Sequence, residues 1–321
     1  MSKKKILITG SCGFIYSNFI RKAIYEKYPY EFISIDRVNN PADLNNIYSN
    51  KNHTFYLADI RDRHIINNIF EFEKPDIVIH GAAESSVDAS IKDPGIFVEH
   101  NVVGTQVIIE ASLKHKIEKF VYVSTDEIYG MLKSEHDASW TENNPIDPQN
   151  PYSASKAAGE LLVKAAHNTF GLQYLITRSS NNYGPRQTSN KLIPRIIKSI
   201  INKEPIPIYG QGLQIRDWTH VFDNCAGLLK ILNSDVINET YNISANQEYR
   251  NIEVVQMVCN AVGDGHSLIT HIKDPRPGHD FRYSVDASKL RALGWKPEFK
   301  FKEAIGGVCE WYMNNQWWFR K

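Results

Sequence analysis

The sequence predicts an α/β fold: a doubly wound parallel sheet with a smaller α/β lobe after it. Three observations predict it. Short apolar runs rich in β-formers alternate with helical stretches through the first half of the chain; a glycine-bearing turn leads from the first run into a helix; an aspartate closes the second run. Near-continuous apolar strands fit a parallel sheet covered on both faces. Right-handed crossovers then wind it to both sides, which is the Rossmann-type arrangement.

Taken in order, residues 5–9 read as a buried strand, 14–28 as a helix, 31–36 as a second strand and 53–59 as a third. Residues 61–72 have helical spacing, with Ile65, Ile66, Ile69 and Phe70 apolar. A strand at 76–80, a long helix at 97–116, a strand at 119–124, a helix at 152–170 and a strand at 173–179 follow. After Gly184 the rhythm changes, and Pro185, Pro194, Pro205, Pro207, Gly210 and Gly212 break the chain into short pieces. Helices are expected at 191–203, 223–233 and 251–262. Residues 1–184 are therefore expected to form the first domain and 185–321 a smaller substrate lobe, with the chain crossing between them.

Composition narrows the function. The 321 residues are 42% hydrophobic and 23% charged, an ordinary globular balance with enough apolar material for a core. A formal net charge of +1 leaves no basic excess to grip nucleic acid. Lys3, Lys4 and Lys5 read as a solvated start to a strand. Cys12, Cys225, Cys259 and Cys309 are scattered, which argues for neither a disulfide framework nor a metal site. No apolar run approaches the roughly 20 residues that span a bilayer. A soluble, cytoplasmic protein is expected.

The first strand runs into Gly10-Ser11-Cys12-Gly13-Phe14-Ile15-Tyr16. Gly10 permits the tight turn, and Gly13 lets backbone approach a pyrophosphate at the helix N-terminus. This is a dinucleotide loop whose third glycine position holds Tyr16, a side chain expected to point outward or to tilt the helix. Asp36, at the end of the second strand, can accept bonds from an adenosine ribose and repels a 2′-phosphate, which favours NAD over NADP. Arg37 beside it could instead welcome that phosphate. Asp59 and Ile60 suit an adenine contact, and Asp59 also fits a helix cap.

The strand at 119–124 ends in Thr125-Asp126-Glu127, and Tyr152 and Lys156 follow four residues apart on a predicted helix, hence on one face. Free tyrosine titrates at about 10. A nearby ammonium, with a positive nicotinamide ring, favours the phenolate and makes Tyr152 a base. Asp126 and Glu127 sit where doubly wound sheets keep ligands; two carboxyls in one site can be driven to different protonation states, one an acid and the other a base.

With these motifs the sequence resembles the NDP-glucose 4,6-dehydratases of the extended short-chain dehydrogenase/reductase superfamily. The resemblance covers nearly the whole chain. It rests on residues 124–130 (Ser-Thr-Asp-Glu-Ile-Tyr-Gly), 151–156 (Pro-Tyr-Ser-Ala-Ser-Lys), 178–185 (Arg-Ser-Ser-Asn-Asn-Tyr-Gly-Pro), 191–194, 208–210, 216–218 and 276–280. The Asp126–Glu127 pair distinguishes it from sugar epimerases, which lack the pair, and from UDP-glucuronate decarboxylases and GDP-mannose dehydratases, which place Ser before the Glu.

The resemblance implies a reaction in three steps. Tyr152, assisted by Thr125 and Lys156, removes the C4 hydroxyl proton of the hexose while hydride passes to NAD. Glu127 takes the C5 proton as Asp126 protonates the departing C6 hydroxyl. Hydride then returns to C6. The resemblance also assigns Gly10, Gly13, Phe14, Ile15, Asp36, Arg37, Asp59, Ile60, Ala82, Ala83, Tyr152, Lys156 and Asn182 to the cofactor. Ser85, Thr125, Asn181, Lys191, Leu192, Pro207, Tyr209, Arg216, Asn251, Arg276 and His279 go to the nucleotide-sugar substrate, with Lys191, Arg216 and Arg276 on its diphosphate. Where the family commonly carries His and Arg, this chain has Ser86 and Ala89. Helices 97–116 and 152–170 form a dimer interface in this superfamily, so a homodimer is expected. Competing readings on the same scaffold are a 4-epimerase, a UDP-glucuronate decarboxylase or a non-catalytic NAD sensor; the last typically loses the Tyr or the Lys, both present here.

Overall fold

The computed structural model describes residues 3–38, 43–274 and 280–319. In chain order the first half contains β1 (Lys4–Thr9), α1 (Phe14–Tyr25), β2 (Tyr30–Asp36), β3 (His53–Leu57), α2 (Arg63–Glu73), β4 (Ile77–His80), α3 (Val87–Lys92), α4 (Pro94–Phe97), α5 (Gly104–Lys114), β5 (Lys119–Thr125) and α6 (Pro151–Phe170). The second half adds β6 (Tyr174–Ser179), β7 (Asn181–Tyr183), α7 (Leu192–Asn202), β8 (Ile206–Tyr209), β9 (Ile215–His220), α8 (Val221–Leu232), β10 (Glu239–Ile243), β11 (Glu248–Arg250), α9 (Asn251–Val262), β12 (Ile269–Ile272), α10 (Ser288–Ala292) and α11 (Phe301–Asn314).

Seven strands form one parallel sheet in the order β10-β6-β5-β4-β1-β2-β3. Alternate side chains enter opposite layers, as the period of a strand requires. Ile6, Ile8, Ile77, Ile79 and Val121 pack under α1 and α8, whereas Leu7, Val78, Phe120 and Tyr122 pack under α2, α5 and α6. Each such buried aliphatic or aromatic side chain contributes roughly 1.5–3 kcal/mol. Strand order reverses at β1, between β2 and β4, and this places the ligand crevice at the carboxyl ends of β1 and β4.

Residues 185–321 do not stay apart from that sheet. Strand β10 pairs with β6, and α8 covers the face shared with α1. The remainder builds a third apolar layer from α7, α9, α11 and β8 around Ile197, Val255, Phe301 and Tyr312. Small sheets β11-β9-β7 and β12-β8 complete it.

The helix expected at 97–116 is interrupted. Residues Val98–Val103 form a π-helical turn between α4 and α5. A simple 3.6-residue period cannot reveal such a widened turn, which frequently marks a functional site. Here it carries the buried residues His100 and Asn101.

Candidate active site

One cleft opens at the carboxyl ends of the central strands. Gly10, Gly13, Asp36, Ala82, Ser85, Thr125, Asp126, Glu127, Tyr152, Lys156, Asn181, Asn182 and Lys191 all line it. The sequence motifs that lie far apart in the chain thus meet in one place.

At the cofactor end, Gly10 has φ +74°, and a Cβ there would stand 2.8 Å from Ala82 backbone. The turn therefore needs glycine for its conformation and for its contact. Gly13 is the N-cap residue of α1, with Phe14 and Ile15 beside it in the wall. Asp36 accepts from the backbone N–H groups of Cys12 and Val38, each at 2.9 Å, and burial pushes its carboxyl above the usual range. Arg37 is engaged with Glu84 and His100, and lies 3.6 Å from Asp59. Asp59 does not cap α2, because Asp62 does so through His64 and Ile65. Burial raises the Asp59 carboxyl, but Arg61 and Arg37 outweigh it and hold it at about 2. Asp59 is outside the cleft wall, whereas Ile60 is in it and packs against Gly104.

Tyr16 corrects an expectation. It points inward and is 4% exposed. Gly81 makes room for it: a Cβ on Gly81 would fall 2.0 Å from the Tyr16 ring. The departure from a third loop glycine is matched by a glycine at the end of the neighbouring strand.

The catalytic end is built by β5 and α6. Thr125 caps the short turn Asp126–Tyr129, accepting from Glu127 N, and Gly130 closes it at φ +79°. Asn150 caps α6 by accepting from Ser153 N at 2.9 Å, and its amide reaches Glu127 Oε2 at 3.4 Å. One residue therefore joins the carboxylate turn to the helix that carries Tyr152 and Lys156. That helix lies tight on β5 because Gly159 faces the Tyr122 hydroxyl, 2.0 Å from where a Cβ would be. Tyr122 also donates to Lys156 O at 3.1 Å, and Lys156 Nζ sits 4.3 Å from the centre of the Tyr122 ring.

The electrostatics differ from residue to residue. Burial pushes Lys156 down to about 7, opposed by Glu160. Burial, and then Glu127, raise the Tyr152 phenol, against a lowering hydrogen bond from Thr125. Asp126 is raised well above the carboxylate range by burial, Glu127 and Asp217. Glu127 is raised by burial but drawn back by Lys191 and Arg216. The two adjacent carboxyls thus sit in unequal environments.

The substrate side is only partly assembled in the cleft. Ser85, Asn181 and Lys191 line it, and Lys191 Nζ donates to Ser85 O at 3.0 Å. Leu192, Tyr209, Arg216 and Asn251 lie outside the wall. Arg216 is buried, donating to the carbonyls of Asp280 and Phe281 and stacked 4.5 Å from the centre of the Tyr283 ring. Pro207 borders a separate depression with Arg195, Lys198 and Thr270. Arg276 and His279 lie outside the described residues. Ser86 caps α3 by accepting from Ala89 N at 3.2 Å.

Residues to which the sequence reading gave no role also line the cleft, among them Glu84, His100, Ser124, Ser180 and Gln187. Ser124, beside Thr125 at the strand end, was the most visible of these; His100 depends on the π-helical turn. Several cleft atoms are buried without a hydrogen-bond partner among the described residues: Tyr16 Oη, Ser124 Oγ, Asp126 Oδ2, Asn182 Oδ1 and Gln187 Oε1. Such a cluster fits a polar ligand. Together with the glycine cradle at the α1 N-terminus and the Asp36 carboxylate, it fits a dinucleotide. Among the described residues no group of His, Cys, Asp and Glu side chains is placed to hold a metal ion, and no helix is long and apolar enough to cross a membrane.

Known proteins share this arrangement. The profile of the family described as "GDP-mannose 4,6 dehydratase" matches residues 7–307. The dTDP-glucose 4,6-dehydratase of Xanthomonas campestris pv. campestris is 41% identical over 97% of this chain and 94% of its own. The crystal structure of DesIV, a dTDP-glucose 4,6-dehydratase from Streptomyces venezuelae with NAD and TYD bound, superposes with a TM-score of 0.93, 36% identity and 98% coverage of both chains. UDP-glucose 4-epimerase from Thermotoga maritima superposes at 0.89 with 27% identity, covering 97% of this chain and 99% of its own. Fold, cleft and kinship agree, and the chain belongs to the NDP-glucose 4,6-dehydratases of the extended short-chain dehydrogenase/reductase family.

Proposed function

We propose that this protein converts an NDP-glucose into the corresponding NDP-4-keto-6-deoxy-glucose and water. The observation that carries the reading is that Asp126, buried, and Glu127, half-buried, line the same cleft as Tyr152 and Lys156. Oxidation at C4 needs from the side chains a base for the hydroxyl, the hydride going to NAD. Loss of water across C5 and C6 needs a second base and an acid, and this cleft has both. The epimerase neighbour is more distant in sequence, and a 4-epimerase has no step for the carboxyl pair to serve.

NAD, when bound, accepts a hydride and later returns it. Gly10, Gly13, Phe14 and Ile15 would hold its diphosphate, Asp36 its adenosine ribose, and Ala82, Ala83, Lys156 and Asn182 its other half. Arg37, tied to Glu84 and His100, supports a site for NAD without a 2′-phosphate. As the phenolate that the positive nicotinamide ring of bound NAD favours, Tyr152 takes the C4 hydroxyl proton, with Thr125 beside it and Lys156 on the same helical face. The C4 carbonyl then acidifies the hydrogen on C5. Glu127, drawn toward its charged form by Lys191 and Arg216, removes that proton. Asp126, held protonated, donates to the oxygen leaving C6. Ser85, Asn181 and Lys191 face the substrate in the cleft.

A homodimer accompanies this reading. Val98, Val103, Leu161 and Phe170 are exposed apolar residues on the two helical segments expected at the interface. Light scattering on purified protein tests it, and a mass of one chain would contradict it.

Incubation with dTDP-glucose and, separately, UDP-glucose tests the function. Mass spectrometry should show a sugar nucleotide lighter by one water from at least one of them. An isomer of unchanged mass would indicate epimerisation and overturn the reading.

A further inference from the structure

Tyr16 lies at the third position of the dinucleotide loop, and its ring fills the space that a side chain on Gly81 would take. The ring packs in the layer that contains Ile8, Ile79 and Val123. Packing explains the ring and leaves the hydroxyl unexplained. Tyr16 is 4% exposed, and its hydroxyl has no hydrogen-bond partner among the described residues. Burying a hydroxyl unpaired is costly, and phenylalanine would fill the same space without that cost.

Location supplies the missing partner. Tyr16 lines the cleft where β1 and β4 diverge, with Gly10, Gly81 and Ala82 around it. This is the crevice in which a doubly wound sheet keeps its dinucleotide. Its ring lies against Gly81, and Ala82 and Ala83, which follow in the cleft wall, are the residues assigned above to the nicotinamide half rather than to the Asp36 end. We propose that the Tyr16 hydroxyl is a positioning group that donates a hydrogen bond to an acceptor oxygen in the nicotinamide-riboside half of bound NAD. This rests on the dinucleotide site proposed above. Gly81 is part of the same device, because any side chain there would displace the phenol.

Calorimetric titration of wild-type protein and Tyr16→Phe with NAD+ tests it, with melting curves recorded in the absence of added NAD+. The variant should melt at the same temperature as wild type or higher, while its affinity for NAD+ falls about tenfold, as expected for one hydrogen bond lost from a buried site. A structural role alone would lower the melting temperature and leave the affinity unchanged. Unchanged NAD+ affinity in Tyr16→Phe overturns this inference alone. A wild-type protein that binds no NAD+ overturns both the inference and the site on which it rests.

Discussion

Arg178 and Glu160 form a doubly hydrogen-bonded ion pair inside the protein, with Arg178 Nε 3.0 Å from one carboxylate oxygen and Nη2 2.7 Å from the other. Both side chains are almost fully buried, at 2% and 0% exposure. The third donor, Nη1, reaches the Tyr129 hydroxyl at 2.6 Å. Tyr129 ends the turn that begins with Asp126, Glu160 is on the helix of Tyr152 and Lys156, and Arg178 is on β6. The pair therefore ties the carboxyl turn to the helix that carries the Tyr and Lys.

Breaking this pair from one side should be expensive, because it leaves an uncompensated buried charge. Glu160→Gln is expected to cost about 3–5 kcal/mol in urea denaturation. A loss under 1 kcal/mol would mean that the guanidinium finds other partners.

Asp126→Asn should separate the chemical steps. Water elimination is expected to slow by about 10²–10⁴, the range for removal of a general acid. Oxidation at C4 should remain close to wild type in single-turnover absorbance at the reduced-nicotinamide band. Equal loss of both steps would contradict the division of labour between Asp126 and Tyr152.

Much of this was legible from local pattern. The alternating apolar runs located the strands, and the Gly10–Gly13, Thr125–Glu127 and Tyr152–Lys156 spacings located most of the cleft. What stayed hidden depends on contacts between distant residues. Nothing near Tyr16 announces that Gly81, on another strand, opens space for its ring. Nothing in residues 239–243 says that they join the main sheet beside β6. The π-helical turn at Val98–Val103 breaks the period on which helix reading rests, and with it went His100. Arg216 has the residue type to face a diphosphate, and its burial is a property of packing. The opposing pulls on Asp126 and Glu127, which are neighbours in sequence, come from Asp217, Lys191 and Arg216 on other elements.

Cofactor choice should rest on Asp36. Its buried carboxylate, fixed by two backbone N–H groups, excludes a 2′-phosphate. Wild-type protein is expected to bind NAD+ at least 100-fold more tightly than NADP+, and Asp36→Ser should narrow the gap at least tenfold, read by calorimetric titration. Equal affinities in wild type would shift the decision to Arg37.

Stability should fall on mild acidification through His80. This side chain is 1% exposed, bonded to Thr9 and Thr105, and burial, helped by Lys156, lowers its pKa to about 3. An unfolded histidine takes up a proton at about pH 6.5, whereas the folded one does so only near 3, so the unfolded state binds more protons between these values. Stability therefore rises with pH across that window and is lost as pH falls through it, by up to about 1.4 kcal/mol per unit. Urea midpoints measured from pH 7 to 5 should slope more steeply for wild type than for His80→Gln. Parallel slopes would show that other groups carry the acid sensitivity.

The central claim is that oxidation at C4 and reduction at C6 occur on one sugar that never leaves the cleft. Glucose nucleotide carrying deuterium at C4, converted in ordinary water, tests it most directly. The deuterium should be recovered on the C6 methyl of the keto product, with a solvent proton at C5. Loss of the label to water, or its retention at C4, would contradict the account.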